Sequence, residues 1–494
     1  MCPAHAAGFN VVTGESDGGP GLDGVPTFPV VERDGKFFVQ LPEGKLPKKV
    51  SMPLSRRDPA NKTHFVIIGG GAAGLNAADT LRQSGFTGQV TILSSEKLVP
   101  YDRTLLTKAT VVGDPNNWKL RSDQYLNDAD IDVKLDATVV RLNPKDKTLL
   151  TSGQEVYHYD KLLIATGSEV TVPNVKGADL PGVFPLRTGS DMLAIKAAVS
   201  AGKKVVFVGG SFIASETASS LKGSKFGKEI EVDIINSSDH LFSRHFGNDV
   251  GSMMDKEHEN AGVRVHNNVR LNEIHGDSNG VKSVTLSNGS TLEADLVILG
   301  TGCVPRTQFL KDSGVEMAAD GSVIVDPFMQ TNYVDIFAAG DIATYPYFPT
   351  GQRMRTEHWN NALDQGTNAA FNMLGKLVPN ANVPFFWTRN YNKSIQFVGT
   401  NQGFKEIHYE GSVADQKFVA YYIDEKDRVI GACGMNNSGA IYTIKEAIAQ
   451  NVMPRGSEVK EGRATTASIA SRLKQTGGCH CKRAACCRKK PAAQ

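Results

Sequence analysis

The sequence contains two glycine-rich turns, each between an apolar run and a stretch with helical spacing. The first, GGGAAG at 69–74, places Gly69, Gly71 and Gly74 in a complete G-x-G-x-x-G pattern. In such a turn the first glycine makes the bend, the second lets the backbone approach a pyrophosphate, and the third lets the helix pack closely. Glu96 follows the next apolar run, where a carboxylate would accept hydrogen bonds from ribose hydroxyls. Together these residues predict a dinucleotide site.

The second turn, GGSFIA at 209–214, departs from this pattern. Gly209 keeps the bend, whereas Ser211 replaces the second glycine and places a Cβ where the pyrophosphate would approach. The alanine in third position is allowed. Asn236 ends the next apolar run, where an NAD site favours a carboxylate; its amide can bond a ribose and would not repel a 2′-phosphate. The turn predicts a second dinucleotide site and leaves both NAD and NADP open.

The elements around both turns have the order strand, turn, helix, strand. The predicted strands are apolar runs, which are typical of strands buried on both faces of a parallel sheet. The order therefore predicts an α/β fold with two Rossmann-like, doubly wound domains. The first unit has a strand at 64–68, a helix at 75–84 and a strand at 90–93, and the second has a strand at 203–208, a helix at 215–222 and a strand at 231–235.

The composition excludes several other classes of protein. The 494 residues are 40% hydrophobic and carry a net charge of +2, which gives no reason to expect a nucleic-acid partner. No apolar run reaches the roughly 18 residues that span a bilayer, and no signal peptide is recognisable. The seven cysteines do not form a secreted disulfide framework. We expect a cytoplasmic protein, or a mitochondrial one if the sequence continues upstream.

Five further motifs occur in a fixed order: PYDRTLLTK at 100–108, IATGS at 164–168, LGTG at 299–302, TNYVDIFAAGD at 331–341 and EHWNNALDQG at 357–366. Together they resemble the FAD-dependent reductases that include apoptosis-inducing factor, rubredoxin and ferredoxin reductases, and monodehydroascorbate reductase. The resemblance extends from about residue 63 to 455. It implies that the first turn binds FAD and the second NAD(P), in a chain that could form a homodimer.

The resemblance also implies roles for individual residues. Lys108 would lie near the flavin N5 edge and pair with Glu216, which would meet the nicotinamide; a solvated surface ion pair is the alternative. Asp341 would hold the flavin ribityl chain, and Trp359 would lie beside the isoalloxazine. The implied FAD contacts are Gly69, Gly71, Gly74, Glu96, Arg103, Lys108, Val139, Ala165, Gly167, Gly340, Asp341 and Trp359, and the implied NAD(P) contacts are Gly209, Ser211, Phe212, Ile213, Glu216, Asn236 and Gly302.

The redox-active cysteine pair of disulfide-reducing relatives is missing from the sequence. Cys303 stands alone after the LGTG motif and is expected to be a buried apolar residue. The expected enzyme therefore transfers a hydride from NAD(P)H to FAD and passes electrons directly to an iron–sulfur or other one-electron acceptor. A quinone- or monodehydroascorbate-type reductase is one alternative. A slow redox-signalling or interaction flavoprotein is another, which Ser211 and Asn236 favour slightly.

The N-terminus, with CPAH at 2–5, resembles the second half of a Rieske domain. Cys2 and His5 would supply half of the ligands, since a Rieske [2Fe–2S] cluster needs two cysteines and two histidines. The first Cys-x-His pair would have to lie upstream of Met1, so the chain as written cannot hold the cluster with ordinary ligation. Either the start is truncated or the domain has decayed. The resemblance is to the branch of the apoptosis-inducing-factor family that carries a fused Rieske domain.

These interpretations divide the chain into six parts. The expected parts are a partial Rieske-like all-β segment at 1–50, a linker at 51–62, an FAD domain at 63–187 and 304–378, an NAD(P) domain at 188–303, a C-terminal α+β reductase or dimerisation domain at 379–455, and a disordered basic tail at 456–494. The tail motif GGCHCKRAACCRKK, at 477–490, would be a metal site, an S-acylation site or simply a set of exposed thiols. The last of these is favoured.

Overall fold

The computed structural model describes His5 and residues 7–475 of the chain. Two parallel sheets of five strands are followed along the chain by an antiparallel sheet of five strands. The predicted α/β fold with two Rossmann-like units is therefore confirmed. Within the described residues, no helix is both long and apolar enough to cross a membrane.

The first parallel sheet surrounds the strand that leads into the GGGAAG turn. In spatial order its strands are Ile336–Ala338, Lys161–Ile164, His64–Ile68, Gln89–Leu93 and Ile131–Lys134. Two helices pack beside this sheet: Ala72–Gln83, called here the first-turn helix, and Trp359–Met373, the long helix. They approach so closely that a Cβ on Gly366 would lie 2.2 Å from the carbonyl oxygen of Ala73. A glycine in the long helix thus permits contact between the two backbones.

The second parallel sheet lies in the chain between the strands of the first. In spatial order its strands are Val183–Pro185, Leu296–Leu299, Lys204–Val208, Glu231–Ile235 and Val263–His266. The helix Phe212–Lys222, called here the second-turn helix, follows the second turn. The sheet begins before residue 188, where the sequence suggested the boundary, because the short strand Val183–Pro185 pairs with Leu296–Leu299.

Short elements fill the connections between the sheets. An antiparallel pair, Ser168–Val170 with Cys303–Pro305, lies where the chain leaves and re-enters the first unit. The remaining strands here are Val139–Asn143, Thr148–Thr151, Val156–His158, Leu271–Asp277, Gly280–Leu286, Thr291–Glu293, Val323–Ile324, Ala343–Pro346 and Arg353–Met354. The helices are Arg103–Leu105, Pro115–Asn117, Asp123–Asp128, Gly189–Ala198, Ser243–Phe246, Asn248–Asn260 and Gln308–Leu310.

The C-terminal unit is an antiparallel sheet covered by helices. In spatial order its strands are Phe385–Asn390, Lys393–Gly399, Val429–Met435, Lys417–Asp424 and Phe404–Ser412, and its helices are Ser438–Ala449, Gly456–Lys460 and Thr466–Gln475. The expectation of a disordered tail from residue 456 is wrong for residues 456–475. Val459 and Ile469 are buried in the core of this unit, so two apolar side chains anchor a polar segment. The cysteine-rich motif at 477–490 lies outside the described residues.

The N-terminal region contains two separate strand pairs. Gly8–Phe9 pairs with Ser16–Gly18, and Val30–Arg33 pairs with Lys36–Val39. The second pair is largely exposed, whereas the segment before it lies against the long helix.

Candidate functional site

The first turn combines two tightly packed glycines with one open glycine. Gly69 has φ +110°, and a Cβ there would lie 2.2 Å from the carbonyl oxygen of Ala165. A Cβ on Gly74 would lie 1.9 Å from the carbonyl oxygen of Gly69. A Cβ on Gly71, by contrast, would meet no atom within 4 Å. The outer glycines are therefore required by the fold, and the middle glycine faces the space where a phosphate could approach.

Glu96 lies in a cluster of donors that the sequence only partly suggested. One carboxylate oxygen lies 2.5 Å from an Arg103 guanidinium nitrogen, and the other accepts a 2.7 Å hydrogen bond from the Tyr101 hydroxyl. Burial acts to raise the pKa of Glu96, but the interactions with Arg103 and Tyr101 outweigh it and lower that pKa. Glu96 is thus held as a carboxylate, and each oxygen can still accept a further bond.

Asp341 follows a backbone position that requires glycine. Gly340 has φ +82° and donates its N–H to Gln365 Oε1 at 2.8 Å. Asp341 Oδ2 accepts hydrogen bonds from Arg187 at 2.6 Å and from the Ser168 hydroxyl at 2.8 Å. The sequence reasoning missed Arg187, which lies in no recognised motif and reaches Asp341 only through the fold.

Lys108 and Glu216 form an ion pair across the two parallel-sheet units. Lys108 Nζ lies 2.8 Å from Glu216 Oε2, and the Glu216 side chain is only 6% exposed. The same oxygen accepts a 2.5 Å hydrogen bond from the Thr107 hydroxyl. The alternative of a solvated surface pair is therefore wrong, because the carboxylate is buried and has several donors.

Thr388 completes the surroundings of Glu216 and was not expected from the sequence. Its hydroxyl donates a 2.8 Å hydrogen bond to Glu216 Oε1. Thr388 lies in the antiparallel strand Phe385–Asn390, so the C-terminal unit closes the third side of the ion pair. Successive side chains of a strand point to opposite faces, and Trp387 therefore faces away from Glu216.

Three buried polar atoms near the start of the long helix have no hydrogen-bond partner among the described residues. They are His358 Nδ1, Asn360 Oδ1 and Gln365 Nε2. Burial lowers the pKa of His358 to about 4, so its ring is neutral near pH 7. Buried polar groups are normally satisfied, so these three atoms have hydrogen-bonding capacity left for a bound polar group. Trp359, half-buried, lies between His358 and Asn360 in this segment.

The second turn keeps the same bend with different surroundings. Gly209 has φ +123°, and its Cβ would lie 2.2 Å from the carbonyl oxygen of Gly300. The Asn236 amide group donates to the carbonyl oxygen of Ser238 at 3.0 Å and to Asn267 Oδ1 at 2.7 Å. Asn236 is also buried. Its amide N–H groups are thus used within the protein, which does not favour the expected ribose contact.

The other expected nucleotide contacts lie at the edges of these turns. Gly167 and Gly302 have φ of +68° and +84° in the two segments that link the units. Val139 is buried in its strand. Phe212, at the start of the second-turn helix, packs edge to face on Phe386 with ring centroids 5.3 Å apart, and the neighbouring Ile213 is half-buried.

The described cysteines do not form a redox pair. Cys303 is half-buried and donates to Glu357 Oε2 at 2.9 Å, so the expectation of a buried residue in apolar packing is wrong. Burial, reinforced by Glu357, raises the pKa of the Cys303 thiol to about 12. Cys433 is buried in the C-terminal unit. A thiol that stays protonated is not a nucleophile.

The expected half of a Rieske site finds no support in the described residues. Cys2 lies outside them. The His5 ring packs on Trp387, with ring centroids 4.5 Å apart. No group of three or more histidine, cysteine, aspartate or glutamate residues that could hold a metal ion occurs within the described part of the chain.

Two glycine turns on parallel sheets, with a buried ion pair between them and an antiparallel unit closing over it, define a two-dinucleotide oxidoreductase. The chain belongs to the pyridine nucleotide-disulphide oxidoreductase family, whose model matches residues 63–366. Residues 385–469 match a second model, the reductase C-terminal family. The predicted membership of the apoptosis-inducing-factor and ferredoxin reductase group is confirmed by similarity to known proteins.

Apoptosis-inducing factor 3 of Homo sapiens is 31% identical over 472 residues, which cover 93% of this chain and 76% of the relative. Rhodocoxin reductase of Rhodococcus erythropolis is 30% identical over 71% of this chain and 81% of its own length. Among solved structures, the ferredoxin reductase for the CYP199A2 system from Rhodopseudomonas palustris superposes with a TM-score of 0.77 at 28% identity, covering 83% of this chain and all of that one.

Proposed function

We propose that this chain is an FAD-dependent oxidoreductase that takes a hydride from NAD(P)H and passes electrons singly to an iron–sulfur protein. The observation that carries the proposal is the buried Glu216 carboxylate, which holds Lys108 where both dinucleotide units and the C-terminal unit meet. The name of the similar ferredoxin reductase supports an iron–sulfur acceptor.

The residues of the first unit fit FAD. Gly71 leaves space beside the start of the first-turn helix, where backbone N–H groups favour a pyrophosphate. Glu96 keeps acceptor capacity for ribose hydroxyls, and Asp341 would accept from the ribityl chain. The unsatisfied atoms of His358, Asn360 and Gln365 would find partners on a polar ring system. Bound FAD would supply the two-electron and one-electron chemistry that protein side chains lack.

The chain's own residues would act by position and charge. Glu216 and the Thr104 carbonyl oxygen, 3.1 Å from Lys108 Nζ, fix the ammonium group in one place. A fixed cation stabilises negative charge that develops beside it and needs no rearrangement during the reaction. The start of the long helix adds the positive end of its dipole near Trp359. Thr388 aligns Glu216 from the opposite side.

The boundaries proposed for the functional domains follow the sheets. An FAD domain would comprise residues 63–182 and 304–378, and an NAD(P) domain would comprise residues 183–303, because the strand Val183–Pro185 pairs within the second sheet. A C-terminal domain would begin at residue 379 and extend to Gln475, since the last two described helices pack on it.

The described residues do not fit a [2Fe–2S] cluster. His5 is engaged by Trp387, and no further ligand group accompanies it in the part of the chain that the structure describes. The described residues therefore offer no cluster site that could accept the electrons. The name of the similar ferredoxin reductase supports instead an iron–sulfur acceptor on a separate protein.

A slow redox-signalling flavoprotein is the second candidate, and the second turn favours it. Ser211 adds a Cβ at the position where a pyrophosphate would approach, and the Asn236 amide donates only within the protein. Both features weaken dinucleotide binding. This candidate predicts slow reduction of the flavin and negligible turnover with iron–sulfur proteins.

Anaerobic stopped-flow measurement of flavin bleaching by NADH and by NADPH tests the proposal. The native protein should bleach rapidly and then turn over with a [2Fe–2S] ferredoxin. Lys108→Ala should bleach about a hundredfold more slowly and keep its FAD, because it removes one preorganised charge. Lys145→Ala, an exposed lysine of the first unit, is the matched control. Equal bleaching rates for the Lys108→Ala variant and the native protein would overturn the assignment of the ion pair.

A further inference from the structure

The N-terminal residues 5–23, called here the N-terminal cap, are attached to the first unit at three places. At the first, the buried Asn360 side chain donates a 3.0 Å hydrogen bond to the carbonyl oxygen of His5. At the second, the Gly19 N–H donates to Asp364 Oδ1 at 3.4 Å. Asn360 and Asp364 are one turn apart on the long helix, so both contacts lie on the same helix face. The cap therefore follows this helix from its first turn.

The third attachment is a buried ion-pair chain. Arg121, whose side chain is 3% exposed, lies 2.7 Å from Asp23 and 2.6 Å from Asp79 of the first-turn helix. Its guanidinium also donates to the carbonyl oxygen of Leu22, which packs on the first core. A cation shared by carboxylates from the cap and the helix ties the cap firmly to the first unit.

The far end of the cap reaches the surroundings of the Lys108–Glu216 pair. The His5 ring lies against Trp387, which is next to Thr388 in the strand. Burial lowers the pKa of His5, and Asp102 opposes the shift. The cations Lys108 and Arg389 reinforce it, so they lie close enough to act on the imidazole. His5 thus lies against the face of the strand opposite to the one that closes the ion pair.

We propose that the N-terminal cap occupies the surface by which an external iron–sulfur protein approaches the flavin, and that the acceptor docks only after the cap has moved away. The inference rests on the proposed function. Thr388 and Phe386 on the inner face of the strand are committed to Glu216 and to the second turn. Trp387, on the opposite face, packs in part on the C-terminal core, and the part of its ring that stays exposed is the aromatic surface that an acceptor could reach beside the ion pair; His5 lies on it. The cap controls access of protein acceptors and leaves small acceptors unaffected.

Release of the cap in the full chain tests this inference. Gly19 has φ +83°, and proline, which fixes φ near about −65° and has no N–H, removes the second attachment. Asp23→Ala removes the ion pair with Arg121 from the third. In the Gly19→Pro/Asp23→Ala variant we expect faster hydrogen exchange in residues 7–23. We also expect the KM for a [2Fe–2S] ferredoxin to fall about tenfold, because a larger fraction of the protein is open.

Turnover of NADH with ferricyanide should stay unchanged in this variant, since a small acceptor does not need the covered surface. Glu15→Ala, an exposed carboxylate of the same segment, is the matched control and should change neither KM. A faster-exchanging cap with an unchanged or higher KM for ferredoxin would overturn the inference, and so would unchanged exchange. Absence of flavin reduction by NADH in the native protein would instead overturn the proposed function.

Discussion

The two glycine turns have the same bend and different chemistry. Gly69 and Gly209 both have positive φ, and a Cβ on either would lie 2.2 Å from a carbonyl oxygen of a neighbouring strand end. At the second glycine position, which faces open space in the first turn, the units differ: Gly71 against Ser211. The comparison teaches that the first glycine is required by the backbone, whereas the second depends on what is bound. Replacement of the glycine at the second position should therefore affect binding of the dinucleotide and leave the fold intact.

The largest effect is expected from substitution of the first glycine, whose positive φ the two turns share. Gly69→Ala should lower the free energy of unfolding by on the order of 3 kcal/mol, because it combines a disfavoured φ with a clash against backbone. It should also lose FAD, whereas Gly209→Ala should keep FAD and lose reduction by NAD(P)H. Thermal unfolding and flavin content after gel filtration measure both. Gly71→Ala, which meets no atom, should leave the stability of the FAD-free protein unchanged. Normal flavin content in Gly69→Ala would contradict the packing argument.

The next comparison is between Glu96 and Asn236, which follow the second strand of each unit. Asn236→Asp should lower the free energy of unfolding by about 1–2 kcal/mol, because an acceptor replaces the amide that donates to Ser238 and Asn267. Denaturant titration measures the change. Asn288→Asp is the matched control: its exposed side-chain oxygen accepts from Ser290, and a carboxylate would keep both bonds. An equally stable Asn236→Asp variant would show that this side chain can turn outward toward a ribose.

The buried ion pair can be loosened from either side. Thr107→Val and Thr388→Val each remove one hydrogen-bond donor from Glu216, from the first and the C-terminal unit respectively. Each should slow flavin reduction about tenfold, since one hydrogen bond to a charged group is worth about 1.5 kcal/mol. Stopped-flow bleaching with saturating NADH measures this. Thr107→Ser and Thr388→Ser should each preserve the rate of flavin reduction, because the hydroxyl remains. A slow Thr388→Ser variant would point to lost packing instead.

The smallest effect is expected from the substitution that restores the missing glycine in the second turn. Ser211→Gly should lower the KM for the dinucleotide about threefold without changing FAD content, because the side-chain oxygen makes no capping hydrogen bond that would be lost. Steady-state assays with NADH and NADPH in parallel measure the change for each nucleotide. A raised KM would mean that the Ser211 hydroxyl contacts the bound dinucleotide and is part of the site.

Much of the parallel-sheet architecture could be predicted from the sequence. The strands His64–Ile68 and Glu231–Ile235 have the predicted bounds. Both helices begin earlier than predicted, directly after the second glycine position of each turn. Buried parallel strands are recognisable because both faces are covered and most positions are apolar. The predicted tail failed for the opposite reason: residues 456–475 have few apolar positions, and burial of Val459 and Ile469 is sufficient to hold two helices.

Sequence by itself determined the two turns, because a positive φ and a close backbone approach restrict the choice of residue locally. The resemblance to the reductase family also supplied the pairing candidates Lys108, in the motif at 100–108, and Glu216, on the helix after the second turn. Only the tertiary structure decided that Arg187 binds Asp341, that Thr388 closes the ion pair and that His5 covers Trp387. These partners are far apart in the chain, and the local pattern around a side chain does not encode which distant residue the packing of the three units will bring into contact with it.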